Sequence, residues 1–186
     1  MTASAFGDAF AHYLWATLRL IDACLTLSPE QLRTAVPGTY SSILDTMRHL
    51  VDSDSSYLRP MTDEPTAVMD AERLDLPHLR AVMEGHGAAW SRLLAQDLDP
   101  DADFVEHDDG FVRHAPAGIR LAQALHHGTD HRSQICTALT VLGVDPPAID
   151  VWDYGLHSGR SVESAPGLRV SGEAYYGPRE TGGGWP

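Results

Sequence analysis

Apolar positions recur at helical spacing in four long stretches of the chain. In residues 4–27 they fall at Phe6, Phe10, Tyr13, Leu14, Leu18, Ile21 and Leu25, the i, i+3, i+4 rhythm of a helix with one buried face. Ser28-Pro29-Glu30-Gln31 then reads as an N-cap and a short helical turn, with proline at the first helical position. Pro37-Gly38 breaks the chain. A second helix fits residues 41–59, where Ile43, Leu44, Met47, Leu50, Val51 and Leu58 form one stripe and Pro60 ends it. Residues 61–76 are polar and irregular, a connection. A third helix fits residues 77–97 through Leu79, Val82, Met83, Ala89, Trp90, Leu93 and Leu94, with Gly85 and Gly87 weakening its middle.

The period changes at residues 103–114. Two short runs, Phe104–His107 and Phe111–His114, flank Asp108-Asp109-Gly110, and an Asp-Gly pair favours a tight hairpin turn. A fourth helix fits residues 116–142, with Pro116 in its first turn and Gly143 at its stop. A short segment from Ile149 to Leu156 has helical character. Residues 157–186 are rich in Gly, Ser and Pro and have no apolar period, which suits a tail lying on the surface or on a partner subunit. The expected architecture is all-α: a four-helix bundle with a long crossover and a small β-hairpin before the fourth helix. Residues 1–156 form the bundle domain and 157–186 the irregular C-terminal tail.

Composition narrows the function. The 186 residues suit one domain, large enough to bury a core without staples. A net charge of −13 repels phosphate backbones and anionic headgroups, so neither nucleic acid nor a membrane surface is an expected partner. No run of apolar residues is long enough to span a bilayer, and the N-terminus has no basic leader pattern. Cys24 and Cys136 lack CxxC spacing and read as reduced core residues. These features together suggest a cytoplasmic protein.

The densest chemistry lies in His126-His127-Gly128-Thr129-Asp130-His131-Arg132-Ser133-Gln134. Residues four apart on a helix differ by only about 40° around its axis, so His127 and His131 point the same way and can grip one ion. His126 lies roughly 140° from His131 and is excluded. The stripe holding the pair also carries Arg120, Gln123, Asp130 and Gln134, which makes it a wet face. The second helix repeats this pattern, with His49 opposite the Met47–Val51 stripe and beside Ser42, Asp45, Asp52, Ser53 and Ser56. A third imidazole would complete a three-ligand site with an open position, the usual arrangement for catalytic zinc. His49 is the best third ligand. His12, His78 and His86 lack comparable companions, and His107 and His114 flank the hairpin, where they can line a pocket mouth. Asp45, Asp52 and Asp130 read as solvated charges; each can also accept an imidazole N–H, and Asp45 and Asp52 are candidates for a general base. Arg132 and Asp54 fall on apolar stripes by phase. Buried charges need partners, so these two are expected to pair across the second and fourth helices as a structural ion pair.

The chain resembles the DinB/YfiT-like family of metal-dependent four-helix bundles over residues 5 to about 155. The resemblance rests on Ser42-Ile43-Leu44 leading to His49-Leu50, on Asp54 followed by Tyr57-Leu58, and on His127-x-x-x-His131-Arg132-x-Gln134. Leu142-Gly143-Val144-Asp145-Pro146-Pro147 with Asp150 and Trp152 is also similar. The family often carries His-His-Arg-Gly-Gln; here Asp130 replaces the first His and Ser133 the Gly, and neither change removes a ligand. The resemblance implies a divalent ion, usually zinc or nickel, held by His49, His127 and His131, and a homodimer. It also implies an enzyme that transfers a low-molecular-weight thiol to a small-molecule electrophile. The Ala-, Asp- and Arg-rich, Lys-poor composition hints at mycothiol. A metal-dependent hydrolase with metal-activated water, and a non-enzymatic metal-binding bundle, are the alternatives.

Overall fold

The first apolar stripe forms α1, Ala5–Cys24, and the capped turn after it forms α2, Pro29–Leu32. Both belong to a computed structural model that describes residues 5–62, 74–108 and 110–164. Ser28 caps α2 through a reciprocal box: its hydroxyl accepts from the Gln31 N–H at 3.3 Å, while the Gln31 side chain accepts from the Ser28 N–H at 2.9 Å. The second stripe forms α3, Ile43–Leu58, whose N-cap Ser42 accepts from the Asp45 N–H. A single 3-10 turn, Arg59–Met61, follows because Pro60 cannot donate to the helical ladder. The third stripe forms α4, Leu76–Leu94, capped by Asp75.

The expected hairpin is present as β1, Asp103–Asp108, and β2, Phe111–Pro116, antiparallel with Asp103 opposite Pro116 and Asp108 opposite Phe111. Gly110 takes a φ of 89°, which a side chain would resist, and so allows the tight reversal. β2 runs directly into α5, Ala117–Val141. That helix closes on Gly143, whose φ is 72°: the Val144 N–H donates to the Leu139 carbonyl and the Gly143 N–H to the Thr140 carbonyl. The short segment foreseen after it is α6, Val151–His157, capped by Asp150 and Asp153 in a second reciprocal box. The connection expected at residues 61–76 lies mostly outside the described residues, as does the tail beyond residue 164.

The chain is therefore mostly helical, with six helices and a two-stranded sheet among the described residues. Helix α1 packs against α4 and α5, and α3 packs against the same two. Leu20, Ile21, Met47, Leu50, Leu79, Met83, Trp90, Ile135 and Leu139 meet in a shared apolar core. The hairpin lies against the start of α5. It covers Arg120, which is only 3% exposed and donates to the Phe104 carbonyl at 3.0 Å and to Glu106 at 3.3 Å. By helical phase Arg120 belonged to the wet stripe; a strand folded over that end of the helix puts it under cover. α6 returns to α1 and packs through Trp15, Tyr154 and His157.

Candidate metal centre

His127 and His131 stand one turn apart on α5, and His49 meets them from α3 because these two helices are packed neighbours. One ligand nitrogen from each of the three lies within 4.8 Å of the others, and His49 Nε2 sits 3.1 Å from His127 Nε2. A tetrahedral ion with bonds of about 2.0–2.1 Å separates its ligand nitrogens by roughly 3.3 Å, so one pair already has that spacing. The donor set also fits: three neutral nitrogen ligands suit zinc, nickel and related divalent ions.

The surroundings orient these rings. The Gln134 side-chain oxygen lies 3.1 Å from His131 Nδ1 and also accepts from the Tyr40 backbone N–H at 2.9 Å. An acceptor at Nδ1 favours the tautomer that leaves Nε2 free for a metal. Tyr40, held there by Gln134, stacks on His49 with ring centres 4.1 Å apart and planes 11° from parallel. Tyr57 meets His127 edge-on, and its hydroxyl accepts from the Gln123 amide at 3.2 Å. Burial raises the Tyr57 hydroxyl above its ordinary pKa and keeps it protonated. Desolvation, then the neighbouring His131 and His49, pulls His127 down to about 4. His49 is lowered for the same first reason, with Asp52 opposing the shift. Both imidazoles are therefore neutral and ligand-ready at neutral pH.

The family model of the DinB family matches residues 1–159. The chain belongs to the DinB family. No curated protein matches it. The DinB-family match spans every helix described above and all three histidines. No helix among the described residues is long and apolar enough to cross a membrane.

The acidic candidates occupy different places in this DinB-family chain. Asp45 sits in the first turn of α3, where it accepts from the Ser42 hydroxyl at 2.7 Å and from Arg48 at 3.1 Å. Asp52 is half-buried, and its charge is felt at His49. Asp130 is exposed. The other histidines stay outside the cluster. His12 bonds the Ile149 carbonyl, His78 and His114 pair with Asp75 and Asp103 at the surface, and His107 is exposed. His86 is buried, with Nε2 2.9 Å from the Ser55 hydroxyl.

Asp54 and Arg132 are both buried, at 0% and 4% exposure, but they do not form the expected ion pair. Asp54 accepts from the Tyr13 hydroxyl at 2.9 Å and from Trp90 Nε1 at 3.0 Å. His86 Nδ1 stands 2.9 Å from its second oxygen, inside ion-pair range but off the hydrogen-bond line. Arg132 donates to the Thr17 and Thr129 hydroxyls at 3.2 Å each, and its guanidinium lies 5.0 Å from the centre of the Tyr13 ring. Tyr13 of α1 touches both groups and takes the place of the direct contact. Helical phase on α3 and α5 can foresee that both charges turn inward, but not that a third helix supplies their partners. Tyr40 was equally hidden, because it precedes α3 in an irregular segment with no periodic signal of its own.

Proposed function

We propose that this chain is a divalent-metal-dependent enzyme that transfers a low-molecular-weight thiol to a small electrophile, with zinc or nickel held by His49, His127 and His131. The observation that carries this reading is the convergence of three imidazoles from two packed helices, in a chain of the DinB family. When bound, a divalent ion with three neutral ligands retains its positive charge and supplies a Lewis acid that favours the deprotonated form of a thiol. The protein's own residues prepare the site. Burial keeps His49 and His127 unprotonated, Gln134 orients His131, and Tyr40 covers one face of His49. In the reaction a carbon–sulfur bond forms, the leaving group departs with its bonding pair, and the thiol proton passes to solvent or to a nearby carboxylate such as Asp52. The same reading takes α1, α3, α4 and α5 as one four-helix bundle, and the active form as a cytoplasmic homodimer.

A hydrolase is the second reading. In it the half-buried Asp52, whose charge opposes the lowering of His49, acts as the base for a metal-activated water. Elemental analysis of the untagged protein beside the triple variant His49→Ala, His127→Ala, His131→Ala is the first test. About one equivalent of zinc or nickel in the parent, lost in the variant, is the result expected of a three-ligand site. Metal-free parent after reloading and dialysis would remove both readings. Given metal, thiol loss that depends on an added electrophile supports transfer, and acid release without thiol supports hydrolysis.

A further inference from the structure

On the far side of α5 from the histidines, α1, α5 and α6 enclose a cleft of about 850 Å³. Leu125, Thr129, Arg132 and Cys136 line it from α5. Counted from His127 at 100° per residue these four positions fall roughly 140–200° around the helix, so the cleft opens away from the candidate metal centre. Its walls are largely apolar and aromatic, through Tyr13, Leu125, Ile149 and Tyr154.

Two cations, Arg132 and Arg160, and two carboxylates, Asp8 and Asp150, line this cleft. Arg132 lines it, is nearly fully buried, and has only neutral hydroxyls as hydrogen-bond partners among the described residues. A guanidinium carries more N–H donors than these two contacts use. The lining carboxylates are committed elsewhere. Asp8 accepts twice from Arg160, and Asp150 caps α6. Asp54, whose charge is felt at Arg132 without a direct contact, is held by Tyr13 and Trp90 in the core and does not line the cleft. His12, which also lines it, is kept neutral by burial and bonds the Ile149 carbonyl. A buried cation without an anionic contact is costly, and an anion arriving from solvent would relieve that cost.

We propose that the cleft between α1, α5 and α6 binds a small organic carboxylate, with its charged end at the Arg132 guanidinium and its apolar body against Leu125, Ile149 and Tyr154. One guanidinium balances one negative charge, and its planar fork matches a carboxylate. This site is separate from the metal centre and does not depend on the reaction proposed there.

Cys136 is a built-in reporter, because it lines the same cleft, whereas Cys24 is fully buried. Alkylation joins the Cys136 sulfur to the reagent carbon, with iodide leaving and the thiol proton passing to solvent. Anionic iodoacetate and neutral iodoacetamide are compared at Cys136 by mass spectrometry of the full chain, each normalised to its rate with free cysteine. Attraction by a partly desolvated cation should favour iodoacetate by about tenfold. Benzoate should slow iodoacetamide labelling and raise the melting temperature, while benzamide does neither. In Arg132→Met these preferences should vanish. If that variant fails to fold, the benzoate–benzamide contrast in the unmodified protein still decides. A normalised ratio near one, with no protection and no thermal shift from benzoate, overturns the proposal. So does protection that ignores benzoate and grows with protein concentration, which would place a second copy of the chain over the cleft.

Discussion

Asp54 is the residue on which the interior polar network turns. It is fully buried, and its oxygens accept from Tyr13 and Trp90, with His86 at ion-pair distance. Removing an acceptor of this kind strands the donors around it. Asp54→Ala should therefore destabilise the protein by about 3–5 kcal/mol, several times the cost of an exposed charge deletion. Thermal melting should show a fall of roughly 10 °C. A melting temperature unchanged within a degree or two would mean that these contacts add little. At the candidate metal centre, Gln134 is the residue that acts through another. Gln134→Leu removes the acceptor facing His131 Nδ1 and the anchor of Tyr40. Loss of such an outer partner weakens metal binding about 10–100-fold. Cobalt titration followed by its visible spectrum checks this, and Gln134→Glu, which keeps an acceptor, should recover most of the affinity.

At the scale of elements, the contact between α1 and α5 depends on a missing side chain. A Cβ at Gly128 would lie 2.1 Å from Cε2 of Tyr13, a ring already fixed by its bond to Asp54. Alanine is the better helix former by about 1 kcal/mol, so helix propensity alone predicts that Gly128→Ala stabilises α5. The clash should win, because overpacking a fixed ring costs about 1–3 kcal/mol and Tyr13 cannot leave without breaking its hydrogen bond. Gly85 on α4 is the control. Nothing lies within 4 Å of a Cβ there, so Gly85→Ala should stabilise by about 0.5–1 kcal/mol. Urea unfolding of the two variants should give opposite signs; the same sign for both would discount the Tyr13 contact.

For the whole molecule, the depressed histidines link folding to pH. Burial lowers His12, His49 and His127, the last to about 4, while in the unfolded chain each returns to about 6.5. Between those values the unfolded state binds more protons than the folded one, so stability rises with pH. The contribution is complete above about pH 6.5 and is lost progressively as pH falls towards 4. These rings are partly exposed, so solvent screening reduces the effect, and the metal-free protein should lose a few degrees of melting temperature across that window. A melting temperature that stays level or rises from pH 6.5 to 4 would contradict the burial of these rings. A divalent ion bound to the folded state alone should add stability by mass action, about 2.7 kcal/mol at a hundred times its dissociation constant.

What the sequence by itself determined was local. Apolar period, caps and breakers set the helices, the Asp-Gly pair marked the hairpin, and four-residue spacing aligned His127 with His131. Each of these is decided within a turn or two of backbone, where spacing equals geometry. Tertiary structure alone decided what crosses between elements. It seated Tyr40 on His49, laid the hairpin over Arg120, put Tyr13 between Asp54 and Arg132, and opened the cleft beside Arg132. Helical phase states which way a residue points on its own axis. Which residue it meets depends on how neighbouring helices are rotated and offset, and many packed side chains set that together.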